Sequence, residues 1–511
     1  MADTPLIKHE PMSKVDTAWL RMERPTNLMM ITGVIVLDQP LDIRKLKATI
    51  ESRFLAFRRF RQRVMDLPGQ ALWEYDETFD LNWHVRRAAL PSPAGKADLE
   101  EYVSNLASTP LDHSKPLWQF HLIEQYQGGS ALVMRIHHCY ADGMALVQVL
   151  LSLTDADPHA RHDVPHPKRK LKKAGGTVFE RLLSPARHGV EHAAEMVEAT
   201  LHKAFHWAAH PQEAASAISE GARTGAREGG EILRELVHSL TLSDDTQTRF
   251  KGPLGVFKRV SWCAPLPLSE VKAAGRAFDA TVNDVLLACA TGALRAYLVA
   301  RGDPVDGVHI RATIPVNLRP LEHAKELGNH FGLVFLDLPI GIANPVERVL
   351  AVREGMRKLK GSRQAVVSYG LLSALGVGPA FVQKPALEML SRKATAVATN
   401  VPGPPAPIYL AGERVREMMF WVPQSGTIGM GISILSYAGA VYFGLITDSK
   451  LVPDPQTIID RFGSELEQLL MIALMSDAEG PISPEWAEAL MARYAEAHRP
   501  KPARARRRRT A

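Results

Sequence analysis

At 511 residues the chain is too long for one ordinary core and calls for two domains with a connector. Its globular balance, 46% hydrophobic and 23% charged residues, excludes a collagen-like or broadly disordered chain, and three scattered cysteines without CxxC spacing (Cys139, Cys263, Cys289) exclude a disulfide framework and a zinc ribbon. The net charge of +6 sits largely in 167–173 (PKRKLKK) and 503–510 (ARARRRRT); no nucleic-acid-binding motif accompanies them, so they read either as solvated segments without a specific partner or as attraction to an anionic lipid surface.

The first twenty residues or so carry no apolar stretch of the kind a secretory signal requires. Residues 27–37 (NLMMITGVIVL) predict a buried strand, and 41–57 a helix whose Ile43, Leu46, Ile50, Phe54 and Phe57 recur at three and four. Residues 59–65 predict a strand with one charged face, and 98–109 a short helix. Strands at 117–124 and 131–138 are joined by the turn QYQGGS, and 142–153 predict an apolar helix. The texture then changes to a Pro-, His- and Lys-rich linker (154–176) and an alanine-rich stretch (177–240). That stretch predicts two or more amphipathic helices, bridging the domains or lying against a membrane. The mixed pattern resumes near 250: a strand, a helix from Ser269, a long helix from Asn283 or Asp284, strands ending near 320 and spanning 329–339, a helix at 344–361, and a closing helix after 453. The uncharged run 418–447 is long enough to span a membrane, yet Pro423, its glycines and the break at YAG fit core strands joined by a hairpin. The expected fold class is α/β, with an N-terminal domain at 1–155, a connector at 156–250, a C-terminal domain at 251–475 and a helical, basic tail at 476–511.

The chemistry concentrates at 136–146, IHHCYADGMAL. On a strand, successive side chains point to opposite faces, so Leu132, Met134, Ile136 and His138 share one face while Val133, Arg135 and His137 share the other. Two diverging histidines are poor joint ligands, and no convergent third ligand is evident, so no metal is expected. His138 reads either as a core histidine or as a general base; a neutral imidazole against an apolar wall keeps its pKa near or below the free value of about 6.5. Asp142 can cap the following helix or hold a buried arginine, and Gly143 permits close approach of backbone or substrate. Cys139 falls on the alternate face and does not read as a catalytic thiol; the chain has no GxSxG elbow, no GxGxxG and no Walker loop, which removes the corresponding hydrolase and nucleotide chemistries.

HHCYADG (137–143) matches HHxxxDG, the signature shared by chloramphenicol-acetyltransferase-like enzymes, peptide-synthetase condensation domains and bacterial wax ester synthase/acyl-CoA:diacylglycerol acyltransferases. The chain resembles the last of these most, through KPLWQFHLIE (115–124), GPLGVFKRVSW (252–262), TVNDVLLA (281–288), IPVNLRP (314–320), TNVPGPPAPIYLAG (399–412) and GMGISILSYAG (429–439), over about residues 10 to 475. The resemblance implies two chloramphenicol-acetyltransferase-like domains joined by a helical connector, with a substrate tunnel at their interface. It implies transfer of a long-chain acyl group from acyl-CoA, a substrate rather than a cofactor, to a fatty alcohol or diacylglycerol. His138 would be the general base in a motif shared with His137, Asp142 and Gly143. Asn283 is the candidate oxyanion donor, with Ser433 behind it, and its alternative role is to cap its helix. Pro116, Leu117, Trp118, Asp284 and Ser433 are expected on the substrate side, and Arg319, with Arg311 in reserve, as the structural partner of Asp142. The expected setting is cytoplasmic, peripheral to the inner membrane or to lipid inclusions, with no nucleic-acid partner. The alternatives are a condensation-type acyltransferase fed by a carrier protein and a non-catalytic lipid-binding protein of the same fold.

Overall fold

The computed structural model describes residues 9–67, 70–160, 242–318, 327–360, 362–377, 387–476 and 482–497. The helices expected at 177–240, the basic segments at 167–173 and 503–510, and Arg319 lie outside the described residues.

The principal strands are β1 (Met30–Leu37), β2 (Trp118–Tyr126), β3 (Gly129–His137), β4 (Ile310–Asn317), β5 (Phe331–Leu338), β6 (Ala396–Pro402), β7 (Glu413–Trp421), β8 (Met430–Tyr437) and β9 (Ala440–Asp448). The helices used below are α1 (Lys14–Met22), α2 (Gly143–Ser152), α3 (Leu268–Ala277), α4 (Val282–Ala300), α5 (Pro345–Lys360), α6 (Gln364–Val377), α7 (Gln456–Leu474) and α8 (Pro484–Ala497). Two seven-stranded sheets organise the molecule. The first runs Val85–Ala88, β2, β3, β1, β7, Tyr409–Leu410, Thr154–Asp155; the second runs Leu266–Pro267, β9, β8, β6, β4, β5, with Lys258–Trp262 also paired to β9. One apolar core centres on each sheet, and the first also takes in Leu435, Tyr437, Tyr442 and Ile446 of the second sheet. β1, MITGVIVL, is buried along its whole length, as a strand covered on both faces must be.

Both sheets contain the same kind of hairpin. Tyr126 pairs with Gly129 around Gln127 (φ 48°) and Gly128 (φ 82°), and Tyr437 pairs with Ala440 around Ala438 (φ 48°) and Gly439 (φ 83°). Two successive left-handed residues match the twist of antiparallel strands, which is why a glycine follows in each turn. The second hairpin settles the uncharged run 418–447: it forms β7, β8 and β9 in the core. Among the described residues one helix, α4, is long and apolar enough to cross a membrane, and 72% of it is buried inside the protein.

Several boundaries differ from the sequence reading. The C-terminal unit at 251–475 is not self-contained: β7 pairs antiparallel with β1, so residues 409–421 complete the N-terminal sheet. The connector ends earlier than 250, because the carboxylate of Asp245 accepts from Arg311 N–H and Thr395 Oγ1 within the second half. The tail contributes to the second core through Ile482 and Ala487, the latter on α8. The helix expected at 41–57 is α-helical over Ile43–Thr49 and then widens to a π turn at Ile50–Phe54, which brings Phe54 onto Phe60 and Trp118. Residues 58–61 form a 3-10 turn before the strand Gln62–Leu67 begins. α6 carried no sequence signal that separated it from its apolar surroundings.

Candidate active site

β3 ends at His137, opposite Met30, and the chain then turns away from the sheet. His138 N–H donates to Met29 O (2.7 Å), Tyr140 N–H to His137 O (3.2 Å) and Asp142 N–H to Gly328 O (3.3 Å). The last bond ties the turn to the second half of the molecule. Asn329 strengthens the tie: its side-chain amide donates to His138 O (2.9 Å) and to the buried carboxylate of Asp16 on α1 (2.7 Å). Burial pushes the Asp16 carboxyl above its ordinary value, against the pull of these hydrogen bonds. Buried backbone groups must find partners, and here those of the histidine turn find them on α1 and on residues 328–330.

The two histidines part company as the strand geometry requires. His137 is fully buried, and its Nδ1 accepts from Cys139 N–H (3.1 Å), leaving Nε2 to carry the proton. Nε2 stands 3.1 Å from Glu23 Oε2 without an aligned hydrogen bond, so we count it as an electrostatic contact. Glu23 also accepts from His113 (3.1 Å) and from Met29 N–H (3.0 Å). Burial raises the Glu23 carboxyl, but the bonds from His113 and Met29 N–H and the attraction of His137 outweigh it and hold the group well below the usual carboxylate range. His137 thus braces the turn from behind.

His138 faces the other way. Its ring stacks on Trp19 of α1 (4.2 Å between centroids, 23°) and lies 5.6 Å from Phe331 of β5. Its Nδ1 has no hydrogen-bond partner among the described residues. Burial, reinforced by the neighbouring His137, lowers its pKa to about 3, so the imidazole is neutral at any physiological pH. Burial also pushes the Cys139 thiol up, which removes it as a thiolate nucleophile.

His138 opens onto a cavity between the two sheets of about 680 Å³, counting its mouth. Asp142, Gly143 and Phe420 line it from one side and Asn317, Thr399 and Asn400 from the other. Through Gly143 and Phe420 it adjoins a wholly apolar chamber of about 330 Å³ between β1, β3 and α2. A Cβ added at Gly143 would meet nothing nearer than Val422 at 3.9 Å, so the glycine keeps this passage open rather than relieving a clash. Of the two tasks open to it, Asp142 performs the cap, Oδ1 accepting from Ala145 N–H (2.8 Å), while Oδ2 accepts from the backbone N–H of His330 (3.2 Å).

The other expected site residues divide. Asn283 does not line the cavity; its Oδ1 accepts from Asn400 Nδ2 (2.7 Å), and Asn400 is the amide on the wall. Nor does Asn283 cap α4. Thr281 does, in a reciprocal box with Asp284, which is thereby buried at the helix start. Ser433 stands one strand behind the wall, beside Thr399 (3.4 Å). Pro116, Leu117 and Trp118 are buried in the N-terminal core: Trp118 Nε1 donates to Phe60 O, Leu117 N–H to Tyr140 Oη, and Leu117 O takes His137 N–H. They hold the histidine turn from behind and lie off the cavity wall. Arg311, the reserve partner for Asp142, is instead engaged by Asp337 and Ser243, six residues along β4 from Asn317 and so about 20 Å away. Trp19, Asn329, Phe331 and Asn400 went unassigned in the sequence, because nothing local marks a residue that reaches the site from another element. Among the described residues no group of three His, Cys, Asp or Glu could hold a metal ion.

Residues 12–286 match the family model of the wax ester synthase/diacylglycerol acyltransferase catalytic domain, which is more than half of the chain. The chain belongs to the wax ester synthase/diacylglycerol acyltransferase family. Residues 327–470 match that family's C-terminal domain. The chain is 29% identical over 495 residues to a putative diacylglycerol O-acyltransferase of Mycobacterium tuberculosis, covering 91% of each chain. It is 27% identical over 460 residues to a probable diacylglycerol O-acyltransferase of the same organism, covering 87% of this chain and 92% of the relative. The wax ester synthase/diacylglycerol acyltransferase of Marinobacter aquaeolei VT8 shares the fold with a TM-score of 0.63, at 22% identity, over 91% of this chain and all of that one. The first condensation domain of a calcium-dependent antibiotic synthetase shares it with a TM-score of 0.54 at 15% identity, over 93% of this chain and 98% of that one. The family makes this protein an acyltransferase of two α/β halves, and its signature residues are those that build the histidine turn.

Proposed function

We infer that the protein transfers a long-chain acyl group from acyl-CoA to the hydroxyl of a fatty alcohol or diacylglycerol, with His138 as general base. The observation that carries this reading is a buried, neutral imidazole on the wall of a cavity between the two halves. A thioester carbonyl is already activated, and an alcohol is a poor nucleophile until its proton has somewhere to go. His138 takes that proton as the oxygen attacks the carbonyl carbon. When the C–S bond breaks, the proton passes to the leaving CoA sulfur. A positioned base of this kind contributes about 10² to 10⁴ in rate. The charge that develops on the carbonyl oxygen needs a fixed donor; Asn400 is the amide on the opposite wall, and Asn283 orients it. The apolar chamber beyond Gly143 and Phe420 suits an acyl chain. Substrates of this kind favour a peripheral place on membrane or lipid inclusions, and the basic segments 167–173 and 503–510 supply the attraction.

Purified protein with palmitoyl-CoA and either hexadecanol or dipalmitoylglycerol should release free thiol in step with ester. Ester formation only from a carrier-protein thioester would favour condensation-type chemistry instead, and lipid binding without thiol release would favour a non-catalytic role.

A further inference from the structure

A second depression, larger than the His138 cavity at about 1530 Å³ counting its mouth, opens where α3 and α5 face each other across the start of α4. Its walls carry cations at helical spacing. Lys272 and Arg276 are four apart on α3; Arg353, Arg357 and Lys360 follow at i, i+4 and i+7 on α5. Such rows would ordinarily be solvated helix faces. Here two of them meet over one hollow. Three carboxylates share it, and each is engaged. Asp284 is turned inward in the capping box with Thr281, Asp279 pairs with Arg353 (3.1 Å), and Glu354 pairs with Arg357 (2.9 Å). That leaves Lys272, Arg276 and Lys360 with no carboxylate partner among the described residues. The floor is the first turn of α4, whose positive dipole end adds to the same field.

The depression is also connected to the chemistry. Val282 and Asp284 line it, and the residue between them, Asn283, accepts from Asn400, which lines the His138 cavity. One pair of amides therefore separates a cationic hollow open to solvent from the buried imidazole. We propose that this hollow binds the phosphorylated adenosine of the acyl-CoA donor, with Lys272, Arg276 and Lys360 on its phosphates and the thioester arm passing the Asn283–Asn400 pair toward His138. Several phosphate charges on one small molecule match three free cations. The assignment rests on the acyl-CoA reading above and adds the surface by which the nucleotide is held.

The test compares two donors that differ only in the part the hollow would hold. Palmitoyl-CoA carries the nucleotide; S-palmitoyl-N-acetylcysteamine lacks it. In the full-length protein, K272E/R276E should lower kcat/KM for palmitoyl-CoA at least tenfold relative to kcat/KM for the short donor, mainly through KM. K45E, the same kind of charge reversal in the exposed part of the first half, should leave that ratio unchanged. Calorimetry with adenosine 3′,5′-bisphosphate reads binding apart from turnover: the wild type should bind it, and the double variant at least tenfold more weakly. An unchanged donor ratio, or equal bisphosphate binding by both proteins, overturns the assignment. Bisphosphate binding that is lost in the variant, in a protein that turns over neither donor, supports the nucleotide site and rejects the acyl-transfer reading.

Discussion

On one wall of the cavity stand His138, Gly143 and Phe420, backed by the apolar chamber; on the other Asn317, Thr399 and Asn400 stand as polar points among Phe331, Leu333, Val397 and Val401. The first wall belongs to the N-terminal sheet and the strand that completes it, the second to the C-terminal sheet. The difference follows from what each must stabilise. A base must be unprotonated before it can accept a proton from an alcohol, and burial against Trp19 keeps His138 neutral. A developing oxyanion needs the opposite, fixed dipoles that stay polar as charge appears. Two sheets that line one cavity let one protein hold both environments a few side chains apart.

The comparison breaks most sharply at the histidines. His138→Ala should lower kcat by about 10² to 10⁴, while His137→Ala retains activity in proportion to the fraction that stays folded. Thiol release, read beside circular dichroism, checks this; equal losses in two folded variants would remove the distinction between base and brace. On the polar wall, Asn400→Ala should reduce kcat by about 10² to 10³ with little change in KM, as the loss of one oxyanion donor does. Asn283→Ala, acting through Asn400, should cost less, and the double variant no more than Asn400→Ala alone. Additive losses would show that Asn283 acts independently.

The dry wall also predicts a pH effect on stability. His138 is held neutral when folded, with a pKa of about 3, against about 6.5 when unfolded. Between these values the unfolded chain binds the extra proton. Stability is therefore full above pH 6.5 and falls as pH drops toward 3, by about 2–3 kcal/mol at pH 4.5 from this group. Urea unfolding at pH 7.5 and 4.5 should show a shallower loss in His138→Phe. For the same reason the acid limb of kcat should not fall near pH 6.5. The smallest effect belongs to the passage between the walls. Gly143→Ala should fold normally, since the added methyl meets nothing closer than 3.9 Å, yet slow long acyl donors by less than about tenfold. An equal effect on acetyl-CoA and palmitoyl-CoA would argue against a passage there.

Much of the first wall was legible in the sequence. Period-two alternation separated His137 from His138, and the cap was one of the two roles the sequence left open for Asp142. The polar wall was harder. TNVPGP was visible as a motif, but which of its side chains reaches the cavity depends on how β6 sits between β4 and β8, and that pairing joins strands far apart in sequence. Asn283 was placed one residue too near the chemistry for a local reason: Thr281 and Asp284 spell a capping box that outranks an asparagine cap. The place of β7 could not be read at all, since an apolar strand carries no mark of the sheet it will join.

That strand has a consequence for how the protein can be divided. A gene cut between the two sheets would give a first fragment with β1 exposed as a raw sheet edge, missing its neighbour over residues 32–37. Unpaired edges of buried, apolar strands recruit whatever strand is at hand. The first fragment alone should aggregate, whereas co-expression with the second should rescue it, because the missing strand arrives in trans. The halves are two by architecture and one by folding.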